Sequence, residues 1–445
     1  MAKILFFPDV YREQGHWLPA VTLAQNLQKT KWGGHDVAFI GIADCEAIIT
    51  PYELTYHKIF KKEYPLGYTS SNQHRTINER WKPVHLWHIM NGGLDELMAE
   101  LQPDLIISGY FASLETLLIH YKYGTRFMIT TTYLRHPDDD PGVRGLQNLF
   151  GMSEPMSRKI MASVYNGSID IDELTIHEFV KPLEAAYELI PCPRDFEFDN
   201  YQFDSDLNVN GRVKFIEPCV IRTLPPPPPP PLGSTPPKNW KDDIPLSKLI
   251  LNNDVTKRKL IFATAGSQVQ DYEDKARRWF QEMILLMDSQ GMQGYHLVIS
   301  VGTKLIEDDW VLPSNVSICS WVPQLEVLNY CAAAFIHGGL ATIKECVYKN
   351  VPFIILPLGK DQMDNALRVR HSDIGQVAYA ESSDFRELQN MFLRSQTDSW
   401  MKNKLRKMSE LFNKLENDND NVVDGRLPGV KLINDYVSSF VNVSV

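Results

Sequence analysis

The sequence has no long hydrophobic run, since no stretch approaches the ~20 apolar residues of a membrane-spanning helix. Cysteine is scarce, with six residues in 445, and these are scattered without metal-site spacing and often lie in apolar runs, as reduced core thiols do. Lysine and arginine form no dense stripe, and the formal net charge is −10. These features argue against an integral membrane protein, a cysteine-bound metal centre and a nucleic-acid-binding surface.

The sequence does contain enough apolar material for two or three domains, because 44% of its 445 residues are hydrophobic. The N-terminal run MAKILFFPDV is too short for a signal peptide and leads directly into a predicted strand. We therefore expect a soluble, cytoplasmic protein that is a monomer or a homodimer.

The most informative stretch lies between positions 321 and 365. Residues 332–336 form a short apolar run, which predicts a buried strand, and residues 351–356 predict a second one. Between them, the triplet His-Gly-Gly at 337–339 precedes a segment with helical spacing of its apolar residues. The pattern predicts a strand, a glycine turn, a helix and a strand.

Such a turn is suited to binding phosphate. Two residues without a Cβ allow the backbone to come close to a ligand. The first N–H groups of a helix have no partner within the helix, and they lie at the positive end of its dipole. Glycine turns before helices are common, so the flanking residues must indicate which ligand binds.

Those residues have a regular spacing. The segment 321–324 reads W-V-P-Q, Glu345 follows His337 by eight positions, and the pair Asp361-Gln362 begins sixteen positions later. The pattern resembles the donor-binding signature of the UDP-glycosyltransferase superfamily, whose members have the GT-B fold and use nucleotide sugars. Leu340 stands where plant members keep a tryptophan, which makes the sequence more similar to bacterial natural-product glycosyltransferases.

The resemblance implies a site for a UDP- or TDP-sugar. Its residues are Trp321 on the base, Gln324 and Glu345 at the base edge and ribose, Ser267, His337, Gly339 and Thr342 at the diphosphate, and Asp361 and Gln362 at the sugar, with Gly266, Val322, Gly338 and Ala341 completing the donor-binding set. It implies no metal and no other cofactor, because amides, a helix dipole and an imidazole can offset the charge of the leaving group.

The N-terminal part begins with predicted strands at 3–7 and 36–41 and a helix at 17–29, an order that favours a parallel crossover. The fold class implied is α/β: two Rossmann-like, doubly wound domains facing across a cleft. His16 stands in a Gly-His-Trp-Leu-Pro context similar to the G-H-x-x-P motif of the family's catalytic base. A neutral imidazole there would accept the proton of an acceptor hydroxyl.

One position departs from the family pattern. The segment 103–109, P-D-L-I-I-S-G, resembles a strand that ends in an aspartate partnering the catalytic histidine, but Gly109 occupies that position. Either another group assists His16, or the base is weaker, or the acceptor needs less activation. Asp9 and Glu13 are near in sequence, although the sequence alone does not place them.

The remaining segments define boundaries. Seven prolines at 225–231 predict a stiff polyproline spacer of roughly 20 Å. We expect an acceptor domain at 1–222, a linker at 223–240, a nucleotide-sugar domain at 241–426, and a helix at 427–445 that packs back on the first domain. A further helix is predicted at 172–190. The acceptor-site candidates are Trp17, Tyr110 and Phe111.

The function implied is inverting transfer of a hexose from a UDP- or TDP-sugar to a hydroxyl of a lipophilic or aromatic small molecule. A lipid-acceptor transferase of the same fold is one alternative. A nucleotide-sugar epimerase is another, but the combination of Trp321, Gln324 and Asp361-Gln362 argues against it. A catalytically inactive sugar-nucleotide-binding helper protein is the third.

Overall fold

The computed structural model describes residues 1–68, 84–134, 181–183, 185–199, 211–220, 258–266, 269–301, 310–319, 322–417 and 427–441. The chain divides into two compact units. Unit 1 comprises Met1–Cys192, Asn200–Ile221 and Leu427–Val445, and unit 2 comprises Pro193–Asp199 and Arg222–Arg426. The short segment Pro193–Asp199 thus groups with unit 2 although it lies within the range predicted for the first domain. The polyproline spacer lies outside the described residues.

Unit 1 is built on a parallel sheet with the order β3-β2-β1-β4-β5-β6-β7. The order reverses between β1 and β4, so their carboxyl ends form a topological switch point, where open α/β sheets bind ligands. The strands are β1 (Lys3–Phe7), β2 (Asp36–Gly41), β3 (Thr55–Lys58), β4 (Leu105–Gly109), β5 (Arg126–Thr130), β6 (Glu188–Ile190) and β7 (Val213–Phe215).

Helices lie between the first five strands of unit 1. They are α1 (Gln14–Leu27), α2 (Glu46–Ile49), α3 (Val84–Met90), α4 (Asp95–Leu101) and α5 (Ser113–Tyr123). Helix α1 begins three residues before the predicted start, which places His16 inside its first turn. Pro19 is the sixth residue of α1 and therefore lies inside the helix, where it removes the hydrogen bond that would otherwise reach the carbonyl oxygen of Gly15.

The helix predicted at 172–190 is wrong at its carboxyl end. Residues 172–180 lie outside the described part of the chain, and Glu188–Ile190 forms strand β6. This strand pairs in parallel with β5 on one side and β7 on the other, and Leu189 is fully buried. Burial in the sheet overrides the local pattern, because three residues carry too little periodicity to separate strand from helix.

The last described helix, α12 (Pro428–Val441), belongs to unit 1. The fully buried carboxylate of Glu217 accepts hydrogen bonds from the amides of Gly429, at 2.6 Å, and Val430, at 3.2 Å. A carboxylate is favourable at this end of a helix because it satisfies free amides and faces the positive end of the dipole. Farther along, Asn434 is bonded to His35 Nε2 at 3.1 Å.

Unit 2 has its own parallel sheet with the order β10-β9-β8-β11-β12-β13. Here the order reverses between β8 and β11, the strands that lead to Gly266 and to the glycine turn at 337–339. The strands are β8 (Lys259–Thr264), β9 (Tyr295–Ser300), β10 (Val316–Cys319), β11 (Cys331–Ile336), β12 (Phe353–Ile355) and β13 (Gln376–Val377). Each unit therefore has the Rossmann-like α/β order that was predicted.

The helices of unit 2 are α6 (Glu273–Asp288), α7 (Gln324–Val327), α8 (Leu340–Tyr348), α9 (Gln362–His371), α10 (Phe385–Thr397) and α11 (Ser399–Glu416). A separate buried core forms in this unit, chiefly from strand residues such as Ile261 and Phe335 and from the apolar face of α6. Within the part of the chain that the structure describes, every helix is too short or too polar to cross a membrane.

Candidate functional site

The glycine turn after β11 is held in a backbone conformation that requires glycine. Gly338 has a φ of 93°, which L side chains rarely adopt. A Cβ there would also lie 2.8 Å from Ile355 Cγ2 and 3.0 Å from the carbonyl oxygen of Gln362. The two glycines of the triplet therefore serve close packing as well as chain reversal.

The imidazole of His337 is enclosed by two glycines. A Cβ added at Gly266, which has a φ of 78°, or at Gly339 would collide with the imidazole at its Nε2 atom. Burial lowers the pKa of His337 to about 4, so the ring is neutral at physiological pH. It is therefore a hydrogen-bond donor or acceptor at this site and not a cation.

The start of α8 is the next feature of this region. Gly339 occupies the N-cap position, and no side chain caps the helix. The amide groups of the first turn are consequently available to an anion at the positive end of the dipole. Thr342 is buried in this turn and Ala341 is half-buried, whereas Leu340 packs into the core.

A polar contact joins α8 to the short helix α7. Gln324, the first residue of α7, donates its side-chain amide to the carboxylate of Glu345 on α8. Burial raises the pKa of Glu345 to about 7, while the hydrogen bond from Gln324 acts in the opposite direction. The structure thus brings together the two residues assigned to the ribose. Val322, two residues before Gln324, is buried, and Trp321 and Ser267 lie outside the described residues.

The residues assigned to the sugar open α9. Gln362 turns its amide oxygen toward the loop before the helix, where it accepts from the amides of Leu358, at 2.8 Å, and Gly359, at 3.1 Å. The fully buried Asn365 donates its Nδ2 both to Asp361 Oδ2, at 2.9 Å, and to the carbonyl oxygen of Gly338, at 3.0 Å. Asn365 was absent from the predicted site, although it belongs to the motif that ends at this position.

In unit 1, His16 has a carboxylate partner. Its Nδ1 lies 2.6 Å from Asp9 Oδ2, and Asp9 is only 2% exposed. The other oxygen of Asp9 accepts the amide of Tyr11 at 3.1 Å. Glu13 Oε2 lies 3.6 Å from His16 Nε2, which is beyond hydrogen-bonding distance. The structure therefore places the aspartate that the sequence alone could not place.

Asp9, Glu13 and His16 also have the side-chain types of a cation site, with ligand atoms within 4.8 Å of one another. The two carboxylates, however, face opposite nitrogens of the imidazole. A single ion binds a histidine through one nitrogen, so this arrangement suits a hydrogen-bonded dyad better than a shared ion.

The three acceptor candidates separate into two environments. Phe111 stacks on His16 with ring centroids 4.9 Å apart, and Tyr110 contacts Phe111 edge-on at 5.4 Å. Trp17, in contrast, is completely buried and donates its indole N–H to the carbonyl oxygen of Tyr11 at 2.8 Å. The assignment of Trp17 to the acceptor surface is therefore corrected: its side chain belongs to the core, because the helix turns it toward the sheet.

A family model described as UDP-glucoronosyl and UDP-glucosyl transferase matches residues 308–415, the part that holds most of the donor-site candidates. A protein of Bacillus subtilis named Uncharacterized UDP-glucosyltransferase YdhE is 28% identical over 356 residues, covering 77% of this chain and 81% of that protein. UDP-glucuronosyltransferase 3A1 of Xenopus laevis is 38% identical over 66 residues, which are 14% of this chain and only 13% of the relative.

Solved structures resemble the chain over nearly its whole length. The glycotransferase of kitacinnamycin aligns over 98% of both chains with a TM-score of 0.65 and 19% identity. The spinosyn rhamnosyltransferase SpnG aligns over 93% of this chain and 96% of its own, at 16% identity. Its complex with thymidine diphosphate gives a TM-score of 0.58, and its complex with spinosyn aglycone gives 0.59. At these identities the likeness concerns the fold.

Proposed function

We propose that the protein is an inverting glycosyltransferase, because a model of the UDP-glucoronosyl and UDP-glucosyl transferase family matches residues 308–415 and the chain has the GT-B fold. It transfers a hexose from a UDP- or TDP-sugar to a hydroxyl group of a lipophilic or aromatic small molecule. The observation that carries this proposal is the enclosure of a neutral His337 between Gly266 and Gly339 at the uncapped start of α8.

This enclosure suits a diphosphate. The amides at the start of α8 would bind phosphate oxygens, and Ser267, His337 and Thr342 would add hydrogen bonds. Because His337 is neutral, it contributes a single N–H and no charge. The helix N-terminus supplies the main electrostatic stabilisation of the leaving group.

The remaining donor contacts follow from the same geometry. Glu345 in its ionised form would accept from ribose hydroxyls, with Gln324 holding it in place and Trp321 stacking on the base. Asp361 would accept from the sugar hydroxyls. Since the oxygen of Gln362 is directed at the loop, its Nε2 would be the group that donates to the sugar.

The reaction needs one proton acceptor. His16 Nε2 takes the proton from the acceptor hydroxyl while the oxygen forms a bond to the anomeric carbon. The bond between that carbon and the diphosphate oxygen breaks, and the electron pair leaves with the nucleoside diphosphate. One displacement converts an α-linked donor into a β-glycoside, and proximity supplies much of the acceleration.

Catalysis is proposed to need no divalent metal. The charge that develops on the diphosphate faces the dipole of α8 and the N–H of His337, which together can take the place of a cation. Near His16, Asp9 is hydrogen-bonded to Nδ1 and Glu13 lies on the side of Nε2 at 3.6 Å, so the two carboxylates face separate nitrogens, which supports the same view.

The test is release of nucleoside diphosphate by the purified protein from a panel of UDP- and TDP-sugars, with phenols and lipophilic alcohols as acceptors and EDTA in a parallel series. We expect release that depends on the acceptor, persists in EDTA and falls at least 100-fold in His16→Ala. Tight nucleotide binding without release from any donor would instead identify the inactive helper protein suggested by Gly109.

A further inference from the structure

We propose that Asp9 is the positioning residue of the catalytic histidine, in the role that the family pattern gives to an aspartate at position 109. The proposal rests on the proposed function, in which His16 is the general base. It explains how His16 can have a carboxylate partner although position 109 is a glycine, because Asp9 follows the end of β1 and not the end of β4.

The first argument is steric. Strands β1 and β4 are neighbours, with Phe7 paired to Ser108, so the residues after them lie side by side. A Cβ at Gly109 would overlap the carbonyl oxygen of Pro8 and lie 2.6 Å from its carbonyl carbon. The backbone directly after β1 thus occupies the space that a side chain at 109 would need. With the backbone of Pro8–Asp9 in its observed position, an aspartate cannot be accommodated at position 109.

The second argument is the fixed position of the Asp9 carboxylate. One of its oxygens accepts the amide of Tyr11, and the carbonyl oxygen of Tyr11 in turn accepts the indole N–H of the fully buried Trp17. Tyr11, which binds the Asp9 carboxylate, therefore connects the loop between β1 and α1 to the core. The buried Trp17 contributes to catalysis through this loop and not through the acceptor.

The third argument concerns the proton. An ionised Asp9 can only accept, so the hydrogen bond of 2.6 Å requires the proton of a neutral His16 to be on Nδ1. Nε2 is then the unprotonated nitrogen, which a general base requires. When Nε2 takes the acceptor proton, the imidazolium is stabilised by the adjacent carboxylate. Phe111, stacked at 4.9 Å, restricts rotation of the same ring.

Ser108, the neighbour of Gly109, does not fill this role. Its hydroxyl is fully buried and accepts a hydrogen bond from Thr116 Oγ1 at 2.6 Å. It also lies within bonding distance of the carbonyl oxygens of Gly109 and Ala112. These bonds stabilise the turn into α5, and none of them involves His16.

The experiment compares Asp9→Asn with Glu13→Gln. Both substitutions remove one carboxylate near the imidazole, but only Asp9 bonds to Nδ1. With the donor and acceptor of the panel that give the highest wild-type rate, we expect Asp9→Asn to lower kcat by about 10²- to 10⁴-fold, with the KM of the donor unchanged. Glu13→Gln should stay within about fivefold of the wild-type kcat.

A spectroscopic measurement separates positioning from folding. In protein labelled with ¹⁵N-histidine, the Nδ1 proton of His16 should resonate far downfield and disappear in Asp9→Asn, while the melting temperature stays within a few degrees. A wild-type kcat in Asp9→Asn, an equal loss in Glu13→Gln, or the absence of that resonance from the wild type would each overturn the proposal. Absence of turnover by the wild type with the whole panel would instead refute the proposed function.

Discussion

The side-chain amide of Asn365 donates to the carbonyl oxygen of Gly338 at 3.0 Å and so joins helix α9 to the glycine turn. The same nitrogen reaches Asp361, which makes one buried amide the link between the proposed diphosphate and sugar contacts. Because both acceptors would lose their partner together, the donor site depends on this residue even though it need not touch the donor.

We predict that Asn365→Ala raises the KM of the sugar donor about tenfold and lowers the free energy of unfolding by about 1–3 kcal/mol. The matched control is Asn413→Ala, because Asn413 donates to the carbonyl oxygen of Tyr348 at the other end of α8, at 3.0 Å. The control should lose stability without a change in donor KM. Equal KM values for the two variants would contradict the linking role.

The enclosure of His337 predicts a large effect at Gly266. Gly266→Ala adds a Cβ that collides with the imidazole, so we expect affinity for the nucleoside diphosphate to fall at least tenfold. Gly291→Ala is the control, since Gly291 has a similarly positive φ of 94° but nothing within 4 Å of an added Cβ. Calorimetric titration with UDP and TDP compares them, and an unchanged affinity in Gly266→Ala would contradict the site.

The ionisation of Glu345 predicts a pH dependence of donor binding. Its raised pKa of about 7 means that the carboxylate is mostly protonated below that pH and mostly ionised above it. Since ribose hydroxyls would bind the ionised form, affinity for UDP-glucose should increase from pH 6 to pH 8 and then level off. The variant Glu345→Gln should bind more weakly above pH 7, with a flat profile. A wild-type profile that stays flat would exclude this residue as the ribose acceptor.

Arg368 and Glu197 form a buried ion pair within unit 2. Arg368 Nε lies 2.6 Å from one carboxylate oxygen and Nη2 lies 3.1 Å from the other, and both side chains are at most 2% exposed. Removing one member leaves an uncompensated buried charge, so Arg368→Met should cost about 3–5 kcal/mol of stability in urea unfolding. Arg406→Met, which breaks the exposed pair with Glu410, should cost less than about 1 kcal/mol. Similar losses of stability in the two variants would contradict the claim that burial makes the Arg368–Glu197 pair the more important one.

The strands of both sheets were largely predictable because strands buried on both faces read as continuous apolar runs. Strands β1 and β2 match the bounds predicted for them, 3–7 and 36–41, and β11 begins one residue before its predicted start. The three-residue strand β6 was not predictable, since its only distinguishing feature is its place beside β5 in the sheet.

The candidate site was predictable where it forms one continuous motif and unpredictable where it depends on distant backbone. The turn at 337–339 and the pairing of Gln324 with Glu345 follow from residues that the signature contains. The dyad of Asp9 and His16 depends on how the backbone at the end of β1 packs against the end of β4, and no local sequence pattern predicts that packing. Arg368 and Glu197 are 171 positions apart, so only the folded chain identifies them as partners.

The most direct test of the central claim is the anomeric configuration of the product formed from α-linked UDP-glucose or TDP-glucose. The account predicts a β-glycoside of the acceptor and an equal amount of nucleoside diphosphate, with neither formed by His16→Ala. An α-glycoside from the wild-type protein would contradict a single displacement assisted by His16, and so would a β-glycoside formed at the wild-type rate by His16→Ala.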